Sequence, residues 1–159
     1  KGIAIDYDTK WYDSVKNSRN CIVSCVDLLK RNISENLELL DCPTQIDYLS
    51  IDVDDAQLKV FNDFDFDKYR FKVLTLEHNL FQSLQNCTQN RSKEHKEKIA
   101  KEHTYYREVL SSHGYKLLWD NVCLENYGPV EDWFVDEETF DKNAHIHRQY
   151  ANCLETMNI

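Results

Sequence analysis

Three apolar runs in this chain each stop at an acidic residue, and this repeated ending limits the possible folds more than any other feature. The runs at residues 3–5, 46–51 and 71–76 end at Asp6, Asp52 and Glu77. Each run has the composition of a buried β-strand, and helical patterns lie between the runs. Because strands joined by helical crossovers pair in parallel, the sequence predicts an α/β fold with a mostly parallel sheet and helices on both faces.

The remaining pattern predicts the other strands, the helices and a C-terminal edge. Residues 21–23 form a further β-type run, after which Ser24 is the predicted N-cap of a helix carrying residues 26–33. Gly114 is placed to end a helix in the left-handed conformation. Further helices are predicted at 10–17 after Thr9, at 56–61, at 99–112 and following Asp136. Residues 85–98 are predicted to be a solvated loop or an exposed helix face. Residues 115–119 and 133–135 are predicted to be an antiparallel strand pair.

Composition narrows the function classes. The chain has 19 Lys and Arg against 28 Asp and Glu, a net charge of −9, which disfavours a nucleic-acid or anionic membrane surface. No apolar run reaches the length of a membrane helix or resembles a signal peptide. Six scattered cysteines fit reduced thiols in a cytoplasmic protein. Cys21 and Cys25 lack two further ligands for zinc, so no metal site is predicted. Without a repeat or linker, residues 1–159 are predicted to form a single domain.

The three acidic strand ends predict a binding edge. In parallel sheets ligands bind beyond the carboxyl ends of the strands, where Asp6, Asp52 and Glu77 would all lie, with His78 and Asn79 beside the last. The alternative is that these charges mark emergence into solvent or cap the following helices. A cluster of carboxylates repels itself unless a ligand, metal or basic group balances it, so three together favour a site.

Five segments in order resemble FkbM-type S-adenosylmethionine-dependent methyltransferases. They cover most of the chain: Lys1-Gly-Ile-Ala-Ile-Asp6, Ile46-Asp-Tyr-Leu-Ser-Ile-Asp-Val-Asp-Asp55, Val73-Leu-Thr-Leu-Glu-His-Asn79, the stretch from Tyr106-Arg107 to Gly114-Tyr115, and Glu131-Asp-Trp-Phe-Val135. The resemblance implies a Rossmann-like methyltransferase fold, a three-layer sandwich with an antiparallel C-terminal edge. It also implies S-adenosylmethionine as cofactor and methyl transfer to a hydroxyl or amine of a small molecule or sugar.

The resemblance also assigns roles to strand-end residues. Asp6 would contact the cofactor ribose, and we expect Asp8 and Asp54 beside the cofactor as well. Asp52 and Glu77 would border the reaction site and orient or deprotonate the acceptor. His78 is an alternative base because its ordinary pKa lies near neutrality, the other interpretation being a hydrogen-bonded histidine at a strand end.

Two departures from the family pattern concern glycine. Where the family has Asp-x-Glu-Gly, this chain has Asp52-Val-Asp54-Asp55, and a side chain replaces the glycine that permits close backbone approach. The glycine-rich first strand and turn are absent, and the only methionine is Met157. We therefore expect the chain to be N-terminally truncated, beginning at the second strand of a larger sheet. The unpaired strand edge this leaves predicts association into a homo-oligomer.

Two other functions remain open. Asp52-Val-Asp54 after an apolar strand also fits the Asp-x-Asp pattern with which sugar-nucleotide transferases hold a divalent cation. The missing glycine turn equally fits a degenerate methyltransferase fold that serves as a non-catalytic scaffold.

Some histidines and aromatic residues are weaker candidates for a binding site. His145 and His147 are a poor metal pair, because alternate residues on a predicted helix point in different directions. Trp11 and Tyr12 would flank an adenine or pack in a helix interface. The later aromatics are expected to pack the sheet: Tyr105, Tyr106, Tyr115, Trp119, Trp133 and Phe134.

Overall fold

The structure, a computed structural model, describes residues 2–78, 80, 92–124 and 128–139. Its strands are β1 (Gly2–Asp6), β2 (Cys21–Cys25), β3 (Gln45–Ile51), β4 (Arg70–Glu77), β5 (Tyr115–Leu124) and β6 (Gly128–Asp136). Its α-helices are α1 (Tyr12–Ser18), α2 (Ile33–Leu39), α3 (Gln57–Asp63) and α4 (Lys93–Ser112). The α/β class predicted from the sequence is confirmed.

The chain divides into two compact units. Unit 1 comprises Lys1–Cys42 and Asp54–Asp65, and unit 2 comprises Pro43–Val53 and Phe66–Ile159. The described strands form two sheets, β1-β2 and β3-β4-β6-β5, instead of the one mostly parallel sheet that we predicted. The larger sheet is mixed, because β6 runs antiparallel to both of its neighbours. A single domain over residues 1–159 stays a prediction.

Unit 1 is built on a parallel strand pair. β1 and β2 are aligned from Gly2 opposite Cys21 to Asp6 opposite Cys25, and α1 lies in the connection between them. No residue of either strand is fully buried. The buried apolar side chains of this unit lie elsewhere: Leu28, Ile33, Leu37, Val60, Phe61 and Phe64. The core of unit 1 is therefore formed by its helices and loops.

The second helix begins later than the sequence predicted. Ser24 is a residue of β2 and caps no helix. The side chain of Asp27 accepts a hydrogen bond from the Leu29 N–H at 3.0 Å, an Asx turn that competes with helix formation. α2 begins only after Asn32, whose side chain accepts the Glu35 N–H at 3.1 Å as an N-cap.

Unit 2 has its core on a mixed sheet. β3 pairs in parallel with β4, whereas β5 and β6 form the antiparallel pair at the sheet edge that the sequence predicted. α4 packs on β5 and buries Tyr106 and Leu110. The largest side chains with less than 2% exposure in this unit include Tyr69, Phe71, Leu74, Leu76 and Phe134.

α4 begins at Lys93, six residues before its predicted start at 99. The Ser92 side chain caps it by accepting the His95 N–H at 3.2 Å. Lys98 pairs with Glu102 one turn later at 3.6 Å, a spacing that supports an exposed helix. Residues 93–98 are thus the exposed helix face, and residues 85–91 lie outside the described part. Gly114 follows the helix with a φ of 80°, as predicted.

The end of β6 is tied into unit 2 by an ion pair. Asp136 is 1% exposed. Its carboxylate accepts hydrogen bonds from Nη2 of Arg70 at 2.8 Å and from Nε of Arg70 at 3.3 Å. Arg70 also donates to the carbonyl of His113 at 2.6 Å. Arg70 on β4 therefore links the end of β6 to the end of α4. The helix predicted after it falls outside the described residues, as do His145 and His147.

Candidate functional site

The carboxyl ends of β3 and β4 lie side by side, as the sequence predicted. Ile51 is opposite Leu76 in the parallel pair, so Asp52 and Glu77 follow at the same edge of the sheet. Asp52 is exposed and Glu77 is half-buried. The two residues predicted to border a reaction site are thus brought to one edge, where Asp52 is the more exposed of the two.

His78 comes directly after β4 and turns inward. Its backbone N–H donates to the Val130 carbonyl at 2.6 Å, which continues the pairing with β6 by one residue. The side chain is buried, with 4% of the residue exposed, and neither ring nitrogen makes a hydrogen bond. Leaving such a group without partners costs about 1–3 kcal/mol, so its ring calls for an explanation. The alternative interpretation of His78 as a hydrogen-bonded histidine at a strand end is therefore wrong for its side chain.

Asp132 on β6 is the centre of a charged cluster that includes His78. Its carboxylate is fully buried and accepts two hydrogen bonds from Arg107. The distance is 2.7 Å from Nε to Oδ2 and 2.8 Å from Nη2 to Oδ1. The N–H of Asn121 donates to Oδ1 at 3.0 Å, and His103 Nε2 lies 2.9 Å from Oδ2. His78 Nε2 lies 3.4 Å from Oδ1. We call these residues the Asp132 cluster: His78, His103, Arg107, Asn121 and Asp132.

Four elements bring the cluster together, with Asn121 on β5, Asp132 on β6, His78 directly after β4, and His103 and Arg107 on α4. Asp132 lies opposite Leu76 in the β4-β6 pair, so its side chain shares a sheet face with His78, two residues after Leu76 and just beyond β4. His103 and Arg107 are four residues apart on α4 and therefore project from the same side of that helix. The two imidazole rings meet edge to face, with centroids 4.6 Å apart. The cluster is part of the packing of α4 against the sheet.

The electrostatics of Asp132 favour its ionised form. Burial by itself would raise the pKa of Asp132, but the hydrogen bond from His103, the nearby His78 ring and the Arg107 guanidinium together hold that pKa far below its usual range. An ionised carboxylate only accepts hydrogen bonds, so His103 donates from Nε2. A buried carboxylate with this many donors is a fixed anchor for the side chains around it.

The residues expected near the cofactor lie in unit 1. Asp6 ends β1 exposed to solvent, and its Oδ1 accepts the Asp8 N–H at 2.9 Å. The hydrogen bond and charge of Lys10 lower the pKa of Asp8, which also caps the turn of residues 9–11. Asp54 is exposed and has a φ of 45°, in the left-handed region. The hydrogen bond links Asp6 to Asp8, and a cofactor role for these three aspartates stays a prediction.

The structure places some of the aromatic side chains as predicted and others differently. Trp11 is 52% exposed, so burial in a helix interface is wrong for it. Tyr106, Tyr115 and Phe134 are buried in unit 2, whereas Tyr105 keeps 38% of its surface exposed.

The chain matches a known family model. The family model described as the methyltransferase FkbM domain matches residues 15–117, well over half of the chain. The chain belongs to the FkbM methyltransferase domain family. The matched range of this FkbM domain includes Glu77, His78, His103 and Arg107 but ends before Asp132. No curated protein and no solved structure matches the chain.

Two further observations concern membrane-spanning helices and the state of the cysteines in the FkbM domain. Within the described residues, no helix combines the length and apolar character needed to cross a membrane. Cys21, Cys25 and Cys42 are free thiols, but Cys123 is disulfide-bonded, so the expectation of reduced thiols is wrong at that position. The cytoplasmic location stays a prediction.

Proposed function

We propose that this FkbM domain is an S-adenosylmethionine-dependent methyltransferase that acts on a hydroxyl or amine of a small molecule or sugar. The single observation that carries the proposal is the family match over residues 15–117. The adjacent strand ends at Asp52 and Glu77 support it, because a methyl acceptor needs polar groups at an accessible sheet edge.

The same proposal extends to the fold. β1-α1-β2 and β3-α3-β4 are both parallel strand pairs with a helix in the connection, the repeating unit of a Rossmann-like sheet. The antiparallel β5 and β6 at the edge fit the C-terminal end expected of a methyltransferase sandwich. We take these units to belong to a Rossmann-like fold of that kind.

At the acceptor side, the chain's own residues would orient a nucleophile and remove its proton. The cofactor supplies an electrophilic methyl group on sulfur, and catalysis of such a transfer depends mainly on alignment. Asp52 is exposed and can accept a hydrogen bond from an acceptor hydroxyl or amine, and Glu77 lies at the adjacent position. His78 is the weaker base, because a base must reach the proton that it takes and this ring is buried.

Asp6 suits the proposed role at the cofactor ribose. Its exposed carboxylate uses Oδ1 to accept the Asp8 N–H, and Oδ2 stays available to accept from a ribose hydroxyl. Asp8 and Asp54, both acidic and close to strand or loop ends, are proposed to line the same ligand. A net charge of −9 supports an acceptor other than nucleic acid, and we keep self-association of the chain as part of the proposal.

Calorimetric titration with S-adenosylmethionine and with its demethylated product tests the cofactor assignment. We expect binding by the native protein, weakened about tenfold or more by Asp6→Ala, since a hydrogen bond to a charged group contributes about 1.5–3 kcal/mol. Asp13→Ala, an exposed carboxylate on α1, is the matched control and should leave binding unchanged.

Transfer of a labelled methyl group to a panel of sugars and small hydroxy and amino compounds tests the acceptor side. Asp52→Asn and Glu77→Gln should lower the rate by about 10²–10⁴-fold if either acts as the base, with cofactor binding retained. Asp47→Asn, an exposed β3 residue paired with Lys72, is the control. A folded protein that binds neither cofactor form would support the scaffold alternative instead. Manganese-dependent binding of a sugar nucleotide, lost in Asp54→Ala, would support the transferase alternative.

A further inference from the structure

The Asp132 cluster contains three groups that metals prefer as ligands, drawn from three elements. His78 follows β4, His103 is on α4 and Asp132 is on β6, and one potential ligand atom of each lies within 4.8 Å of the other two. All three are buried. Two imidazoles with one carboxylate are a donor set that first-row transition metals favour over Mg²⁺ or Ca²⁺.

The separations fit a bound ion. His103 Nε2 lies 2.9 Å from Asp132 Oδ2, and His78 Nε2 lies 3.4 Å from Oδ1. Ligand bonds of about 2.0–2.2 Å place neighbouring donors roughly 2.9–3.5 Å apart for angles between octahedral and tetrahedral. His103 Nε2 and Asp132 Oδ2 already lie at this spacing, whereas the His78 ring, which now faces Oδ1, would have to move toward them from within 4.8 Å.

His78 supplies the independent reason to expect a ligand. Its side chain is more than nine-tenths buried, it faces the carboxylate, and both ring nitrogens lack a hydrogen bond. A buried imidazole without partners is unfavourable, and a coordinate bond to a cation would satisfy Nε2 directly.

The Asp132 carboxylate can bind a metal ion while it keeps both hydrogen bonds from Arg107. A carboxylate has about four acceptor positions, of which Arg107 fills two and the Asn121 N–H one. The fourth, on Oδ2, is the one that His103 Nε2 now uses. On metal binding the His103 proton moves to Nδ1 by tautomer exchange through solvent, so Nε2 and Oδ2 both become ligands. Arg107 and Asn121 would then hold the ligating carboxylate in place.

We propose that His78, His103 and Asp132 form a site for one divalent transition-metal ion of the zinc class. Three protein ligands leave at least one position open to water or another ligand. The sequence alone predicted no metal site, and this inference does not depend on methyl transfer. If it is right, His78 is a ligand, and the base of the proposed reaction is Asp52 or Glu77.

Titration of metal-stripped native protein with Co²⁺, followed by visible absorption, tests the site because Co²⁺ reports nitrogen and oxygen ligands. We expect saturation at one ion per chain, displacement by Zn²⁺, and a Zn²⁺-dependent rise in melting temperature. His103→Gln and His78→Gln should weaken binding by about 100-fold or more, and Arg107→Gln, which removes only the support of the carboxylate, by about 10–100-fold.

His113 provides the matched control. It forms a histidine–aspartate pair with Asp67 at 3.2 Å on the exposed surface of unit 2. His113→Gln should bind metal as the native protein does, and circular dichroism of each variant checks that it folds. The proposal is overturned if the folded native protein binds neither Co²⁺ nor Zn²⁺, if folded His103→Gln binds normally, or if His113→Gln loses binding equally. Cofactor titrations on the same preparations keep this result separate from the test of methyl transfer.

Discussion

Units 1 and 2 each carry carboxylates on their strands, but they place them in opposite environments. In unit 1, Asp6 ends a strand pair in which no residue is fully buried. In unit 2, Asp132 and Asp136 lie on a strand whose neighbours include completely buried side chains. Solvent leaves Asp6 able to accept hydrogen bonds from a ligand, whereas burial commits Asp132 to fixed partners. The same residue type thus serves different purposes because the depth of packing differs.

The largest expected difference between the units is the cost of removing these carboxylates. Asp132→Ala should lower the free energy of unfolding by about 3–5 kcal/mol, because Arg107 would lose its buried partner. Asp6→Ala should change it by less than about 0.5 kcal/mol. Urea denaturation of both variants measures the contrast, and equal losses would show that the distinction between the units is mistaken.

A core substitution in each sheet should give the next largest contrast. Leu74 on β4 is 0% exposed, so Leu74→Ala should cost about 2–5 kcal/mol through lost burial and a cavity. Ile5 on β1 is only partly buried, and Ile5→Ala should cost less than about 2 kcal/mol. Chemical denaturation checks both, and a larger loss at Ile5 would mean that β1 is packed more deeply than described.

The pH dependence of two aspartates should sharpen the comparison. Burial raises the pKa of Asp136, but hydrogen bonds from Arg70 and the Glu138 N–H outweigh it, so this pKa lies below its usual value. A depressed folded-state pKa stabilises the protein above the unfolded pKa, about 3.9, and that stability is lost as pH falls through the folded value. The stability difference between the native protein and Arg70→Gln should therefore shrink on acidification below about pH 4.

Asp8 is the contrasting case in unit 1. Hydrogen bonding to Lys10 lowers its pKa too, but Lys10 is exposed and the Asp8 side chain keeps 25% of its surface exposed, so salt screens the interaction. We expect Lys10→Gln to show no pH-dependent difference in unfolding at high salt. A difference that persists in salt would contradict the assignment of Asp8 to a solvent environment.

The smallest effect concerns the turn after α4. Gly114 has a φ of 80°, which side chains adopt only with strain, so Gly114→Ala should cost about 1 kcal/mol. Gly2→Ala is the control, because a Cβ there would meet only ordinary contact at 3.7 Å from the Cys21 Cβ. Thermal melts compare the two, and equal stability would place the strain elsewhere.

Local patterns predicted most of the elements. The strands ending at Asp6, Asp52 and Glu77 were visible because apolar runs with sharp polar ends are set by short-range sequence. The start of α2 was missed because the Asx turn at Asp27 competes with a helix, a choice that composition does not reveal. The division of the strands between two sheets was missed because sheet pairing depends on contacts distant along the chain.

The candidate site was only half visible in the sequence. Asp52, Glu77 and His78 were identified from strand ends, but Asp132 is 29 residues from His103 in the chain and 25 from Arg107. Two signals were available: a histidine and an arginine four residues apart on one helix, and an aspartate inside an aromatic strand. Neither shows that the groups meet, because that depends on the pairing of β4 with β6.

β6 carries two buried carboxylates four residues apart, and this spacing favours one register of β6 against its neighbouring strands. Asp132 and Asp136 point to the same face and bind Arg107 and Arg70. A shift by one residue would turn both charges to the other face and leave both arginines without them. A shift by two would keep the face but move each carboxylate about 7 Å along the strand from its arginine. The two ion pairs therefore penalise each misaligned pairing twice, which selects a single register for the strand during folding.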